Sequence, residues 1–170
     1  MESGVTYRGT VYPWHCDHVG HMNIMWYVGK FDEANWNLFA RIGLTPTYLR
    51  ESGRGMVAVQ QNIAYQRELL AGDIVEVRSA LLEIGDKSIR FRHEMRNAET
   101  GEVAATCEFT GVHIDRQARK STPFADTIRR TAARLLGLSG TGRGPARGSF
   151  GKGTLTSVRA HHLMQPILHR

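Results

Sequence analysis

The sequence predicts an α+β fold in which a curved antiparallel sheet wraps around one long helix and a shorter helix follows at the end of the patterned region. Three observations predict it. From Asn23 to Ile42 the apolar residues recur at spacings of three and four over an arc too wide for a surface helix. Four strand-like stretches then follow, divided by short turns, in the manner of a meander. Pro123 to Leu136 finally returns to the helical period.

In chain order, Val5 to Tyr12 alternates as a first strand, and Pro13 stops it. The long helix carries Ile24, Tyr27, Val28, Phe31, Ala34, Leu38 and Ile42 on its stripe, broadened by Trp26, Trp36 and Phe39, and Gly43 supplies its stop. Thr45-Pro46-Thr47 opens a short turn or helix that fades at Gly53-Arg54-Gly55. Met56 to Gln66 is the next strand, with Val57, Val59, Ile63 and Tyr65 in near alternation. After the turn at Ala71-Gly72-Asp73, Ile74 to Ile84 resumes, and Gly85-Asp86-Lys87 turns again. Ile89, Phe91, His93 and Met95 then alternate with Arg90, Arg92, Glu94 and Arg96, the clearest two-residue period in the chain, which predicts one buried and one wet face. Asn97 to Gly101 is a hairpin turn, and Glu102 to Asp115 is the last strand, with Val103, Ala105, Cys107, Phe109 and Gly111 on one face. The terminal helix sets Phe124, Ile128, Ala132 and Leu135 against Arg129, Arg130 and Arg134.

Length and 41% apolar content fit one domain, placed at residues 1–138. The net charge of +6 does not mark a nucleic-acid binder, because residues 1–138 are nearly balanced, with 17 basic and 16 acidic side chains. The excess lies in residues 139–170, a Gly-rich basic tail with five basic residues and no acid, expected to be a weakly ordered, solvated extension. No window is long and apolar enough to span a bilayer, and the start has no secretory pattern, so the expected compartment is the cytoplasm, with no membrane and no nucleic-acid partner. Cys16 and Cys107 are read as free thiols.

Chemistry concentrates in WHCDHVGHMNIMWY, Trp14 to Tyr27, where polar side chains meet the start of the long helix. Unpaired N–H groups and the positive end of the helix dipole make such a junction suited to a developing oxyanion. Asp17 is either a turn-closing side chain or a carboxylate for attack or base catalysis. The backbone at Asn23 and Ile24 is the expected source of oxyanion donors, although Asn23 also suits an N-cap. Gly20 fits a close approach or positive φ. His15, His18 and His21 recur every third residue without the spacing of a metal site, and no metal is assigned.

Asp17-x-x-Gly20-His21-x-Asn23, followed by Tyr27, Phe31 and Glu33-Ala34, together with Tyr65 to Asp73 and the Thr100-Gly101 hairpin, resembles the hot-dog fold thioesterases. The likeness is to the 4-hydroxybenzoyl-CoA thioesterase-like branch of acyl-CoA hydrolases and covers roughly residues 5 to 126. The resemblance implies hydrolysis of an acyl-CoA to free acid and CoA, with Asp17 at the position of the branch's catalytic carboxylate, as nucleophile or general base. It implies a homodimer or homotetramer with substrate along the subunit interface, and no cofactor beyond the coenzyme A of the substrate. His21 belongs to the motif as a loop-orienting or substrate-touching residue, while Glu33 is structural. Tyr27, Gln61, Asn62 and Arg90 are assigned to substrate; Gln61 and Asn62, with Gln60, either line the site across the dimer interface or are polar residues on a wet sheet face. Arg92, Arg119 and Lys120 are, with Arg90, either partners for CoA phosphates or members of a solvated strand face. The competing readings are an acyl-carrier-protein thioesterase or dehydratase, and a non-catalytic acyl-CoA or partner-binding module.

Overall fold

The computed structural model describes residues 4–138. The expectation for the tail at 139–170 lies outside them. The order is β1 (Gly4–Thr10), a single 3-10 turn (Pro13–His15), α1 (Ile24–Arg41), α2 (Pro46–Glu51), β2 (Arg54–Tyr65), β3 (Ile74–Ile84), β4 (Ser88–Asn97), β5 (Val103–Asp115), β6 (Lys120–Ser121) and α3 (Asp126–Leu138). The strands form one antiparallel sheet in the order β1-β3-β4-β5-β2, and short β6 pairs with the end of β5. This is the expected α+β plan, the hot-dog arrangement of a curved sheet around a long helix, with the two-residue β6 as an unforeseen addition.

α1 starts where Asn23, in extended conformation, accepts the Met25 N–H on its side chain, and it ends as Gly43 takes a φ of 93°. Its buried face is Tyr27, Lys30, Phe31, Ala34, Asn35, Leu38 and Phe39. These meet the inner face of the sheet, where Val75, Val77, Leu81, Ile89, Phe91, Met95, Cys107 and Phe109 are buried. Phe91 anchors this layer, stacked on Phe109 at 4.6 Å and edge-on to Phe39 at 5.6 Å. The alternation expected of β4 holds: Ile89, Phe91, His93 and Met95 are buried, while Arg90 and Arg92 are exposed.

Two expectations about apolar faces fail for physical reasons. Ile24 and Val28, read as part of the buried stripe, are exposed, as is Met25; that side of α1 is uncovered among the described residues. In β2, a register shift between Ala58 and Gln60 inserts Val59 as a bulge, so Val57 pairs with Val112 on one face while Ile63 pairs with Cys107 on the other. One extra residue reverses the parity of everything before it. β2 is also an edge, twelve residues long and exposed over most of both faces.

A polar chain runs through the core. Thr6 and Ser79 share a hydrogen bond, Ser79 Oγ meets His93 Nδ1 at 2.5 Å, and His93 Nε2 meets Asn35 Oδ1 at 2.7 Å. It ties β1, β3 and β4 to α1 with each polar atom partnered, which is the condition for burying such groups without a large penalty. Lys30 is buried as well, donating to Tyr7 Oη at 3.0 Å and to the Thr10 carbonyl at 3.4 Å.

Candidate active site

Between the 3-10 turn and α1 the chain folds into a tight loop held by its own backbone. The Asp17 N–H donates to the His21 carbonyl at 3.1 Å, Gly20 N–H to the Asp17 carbonyl at 3.0 Å, and Cys16 bridges to Met22. Gly20 closes this turn with a φ of 97°, a region costly for any residue with a Cβ. Met22 N–H donates to Leu69 at 2.7 Å, which fastens the loop to the segment between β2 and β3.

The Asp17 carboxylate is half-buried at the loop's mouth. Oδ1 accepts the Val19 N–H at 2.9 Å, and Oδ2 accepts the Asn23 side-chain amide at 3.4 Å. The Val19 N–H, then the nearby His21 and Asn23 and finally His18, outweigh burial and hold the acid below its ordinary pKa. Asn23 works with both ends of its amide: Nδ2 reaches Asp17, and Oδ1 caps α1 through Met25 N–H at 3.0 Å.

The first four N–H groups of a helix have no partner within it. Here the Asn23 N–H donates to the His15 carbonyl at 2.9 Å, Met25 N–H to the Asn23 side chain, and Trp26 N–H to the Asn23 carbonyl at 3.0 Å. The Ile24 N–H alone of the four has no such acceptor among the described residues. The two expected oxyanion donors are therefore unequal: the amide of Asn23 is committed to His15, and that of Ile24 is open.

Beside the loop lies a cavity of about 270 Å³, lined by the loop's His21 and Met22, by Ile24 and Tyr27 of α1, and by Tyr65 to Glu68 at the end of β2. Tyr27 donates to the Arg67 carbonyl at 3.3 Å, and burial pushes its hydroxyl up to about 12, so it stays protonated. Its ring meets Tyr65 edge-on at 5.2 Å, and His21 Nε2 lies 3.7 Å from the Glu68 carboxylate. Asp17 does not line the cavity; Asn23 links the two.

Thus Asp17, Gly20, His21, Asn23, Ile24 and Tyr27 come together. Gln61, Asn62 and Arg90 do not join them within one protomer. Gln61 and Asn62 are successive residues of a strand and point to opposite faces: Gln61 lies opposite Phe109, while Asn62 faces outward beside Arg92 and Glu108. Arg90 is on the outer face, 3.5 Å from Glu83, and pairs with Thr110, several residues along β5 from the end that meets Tyr65. Of the three loop histidines, His15 is buried against Trp26 at 4.2 Å and its Nδ1 accepts the Tyr12 N–H. His18 is exposed and His21 faces Glu68. Sequence reasoning passed over Tyr65 and Glu68 as site residues; their signal was the abrupt change from apolar alternation to Gln66-Arg67-Glu68 at the end of a strand.

The family model described as "Thioesterase-like superfamily" matches residues 11–131, and the chain belongs to that family. A bifunctional "L-carnitine dehydrogenase/betainyl-CoA thioesterase" of Agrobacterium fabrum is 31% identical over 119 residues, covering 70% of this chain. The chain spans about a quarter of that relative's length, 24%. A "Betainyl-CoA thioesterase" of Pseudomonas aeruginosa is 29% identical over 123 residues, covering 72% of this chain and 77% of the relative. Among solved structures, a Thermus thermophilus thioesterase complexed with coenzyme A and Zn superposes with a TM-score of 0.68 at 28% identity, covering 81% of this chain and 98% of that one.

Proposed function

We propose that this chain is an acyl-CoA thioesterase that hydrolyses the thioester to a free acid and CoA, with Asp17 as the reacting carboxylate. The observation that carries the reading is the pairing of an ionised, tethered Asp17 with one open helix N–H, at Ile24, across Asn23. The Ile24 N–H donates to the thioester oxygen as negative charge builds on it. Held below its ordinary pKa, the carboxylate is ionised at neutral pH and available either to attack the acyl carbon or to accept a proton from water; attack on carbon is the route written here. In that route a carboxylate oxygen bonds to the acyl carbon, the C–S bond breaks and the thiolate leaves to take a proton. Water then cleaves the resulting anhydride.

The relatives' names point to a small cationic acyl group, the trimethylammonium-bearing betainyl. The cavity beside the loop is compatible with it: the rings of Tyr27 and Tyr65 offer π faces, and Glu68 offers a negative charge. The long β2 edge and the uncovered Ile24, Met25 and Val28 support a homodimer formed by antiparallel pairing of β2 with its copy, which would complete the wall of the site; pairs of dimers give a tetramer. The expected setting is the cytoplasm, and no described helix is long and apolar enough to cross a membrane.

Release of CoA, followed with a thiol reagent, tests the reading. Asp17→Asn should lower turnover by orders of magnitude and leave the melting temperature nearly unchanged. Full retained activity removes Asp17 from the chemistry, and binding of acyl-CoA by the wild type without turnover replaces the enzyme with a binding module. A single turnover in ¹⁸O-labelled water leaves label in Asp17 where the carboxylate attacks and water then opens the anhydride at the Asp17 carbonyl.

A further inference from the structure

Of the loop's three histidines only His15 is buried, and the route written above gives its ring no task. The ring is held from several sides: it tilts against Trp26 of α1 at 4.2 Å, and Tyr12 and Trp14 meet it edge-on at 5.6 and 5.8 Å. In this setting its Nδ1 accepts the Tyr12 N–H at 3.1 Å, while its own N–H donates to the Tyr12 carbonyl at 2.8 Å. Two bonds to one residue thus close the 3-10 turn, in the manner of a capping box with a histidine where glutamate or glutamine is usual.

An acceptor at Nδ1 requires a neutral ring with its proton on Nε2. Burial first, and the charge of Lys30 second, hold the His15 pKa below its ordinary value, so the ring is neutral at neutral pH. Lys30 keeps its own place through Tyr7 Oη and the Thr10 carbonyl. Closing the turn sets the direction of the His15 carbonyl, which takes the Asn23 N–H at 2.9 Å on one side of the Cys16–Met22 bridge, while the Asp17-to-His21 bond lies on the other. Any residue offers a carbonyl; the turn held on Nδ1 is what aims this one. The bond fixes Asn23, whose following peptide carries the Ile24 N–H, so that donor has one direction before charge develops on the thioester oxygen.

We infer that His15 is a positioning residue for this site: its ring closes the turn that holds Asn23, and through Asn23 it aims the open Ile24 N–H. The inference rests on the acyl-CoA reading above.

Steady-state kinetics of the full chain and amide hydrogen exchange followed by NMR test it. His15→Phe keeps a ring against Trp26 but offers Tyr12 no acceptor; kcat should fall by about tenfold or more while KM stays within about twofold, as for a misaimed donor. His15→Gln gives up the ring and restores the acceptor, and kcat should return to within about threefold of wild type. A merely structural role makes kcat follow the melting temperature; a positioning role makes it follow the acceptor. Ile24→Pro deletes the donor itself. Proline is tolerated at the first helical position, Asn23 already has the extended φ of −66° and ψ of 146° that suit the residue before it, and the Ile24 side chain is exposed. In that background His15→Phe should change kcat by less than about twofold, since no donor is left to aim. Without substrate, the Asn23 N–H should be protected in wild type and His15→Gln and exchange freely in His15→Phe. Equal kcat in wild type and His15→Phe, additive losses in the double variant, or an Asn23 amide equally protected in all three proteins overturns the inference. A wild type that releases no CoA overturns the acyl-CoA reading instead, while exchange at Asn23 still decides whether His15 holds it.

Discussion

Asn23 joins the stability of α1 to the position of Asp17 through the two ends of one amide, and two substitutions separate these jobs. Asn23→Ala removes both. Losing an N-cap costs about 0.5–2 kcal/mol, and the low end applies because the released Met25 N–H lies at an exposed residue where water replaces the lost acceptor. A fall of about 2–5 °C in melting temperature is expected for a domain of this size. Asp17 then keeps only the Val19 N–H as a fixed partner on its side chain, and a carboxylate free to swing loses roughly 10- to 100-fold in kcat/KM. Asn23→Asp retains the capping oxygen but offers Asp17 a negative charge in place of a donor. Its melting temperature should stay near wild type while kcat/KM falls as far as in Asn23→Ala. The sign of the pH effect follows: the Asn23 amide helps hold the Asp17 pKa down, so both variants move the acid limb of the rate profile to higher pH. Thermal denaturation and pH–rate profiles of the three proteins settle it. Activity in Asn23→Asp equal to wild type, with an unmoved acid limb, refutes the tether.

Burial lowers the pKa of His93 to about 3, whereas the unfolded chain protonates it near the ordinary value of about 6.5. The unfolded state therefore takes up a proton that the folded state refuses, and stability from this group is lost as pH falls from about 6.5 toward 3, at up to about 1.4 kcal/mol per pH unit. Urea titrations at pH 7, 6, 5 and 4 should show a shallower decline in His93→Gln; identical slopes would count against it. Gly20→Ala meets no atom within 4 Å, so its cost is the backbone alone, about 1–2 kcal/mol. Because the turn it closes carries Asp17, activity should fall by more than stability loss explains, and an alanine variant with full kcat/KM would show that the turn tolerates another shape.

The fold was legible where one period ruled a long stretch. β4 reads correctly because each alternate residue from Ile89 to Arg96 obeys one face, and α1 because its stripe persists for five turns. Parity in β2 was not legible, since the bulge at Val59 leaves no mark in composition: no glycine or proline stands there. Apolar counting also missed Lys30 and Asn35 on the buried face of α1, as their burial depends on Tyr7, Thr10 and His93 from distant strands. At the site, local turn and cap chemistry marked Gly20 and Asn23, whereas for Asp17 it left turn closure and catalysis open, and the resemblance to the hot-dog thioesterases supplied the catalytic expectation. Which amide stays open could not be named, because the His15 carbonyl that occupies Asn23 N–H is placed by the 3-10 turn. Arg90 was drawn in by charge alone, and only the pleat shows it on the far face beside Glu83.

The loop that carries Asp17 takes its shape from carbonyl and amide groups that nearly any residue can supply: His15, Asp17, His21 and Leu69 each contribute through the main chain. Side chains at His18, Val19 and Met25 are left facing solvent with no part in that scaffold. Drift at these positions leaves the carboxylate where it is. The position of the carboxylate is thereby insulated from sequence change at the exposed corners of its own loop.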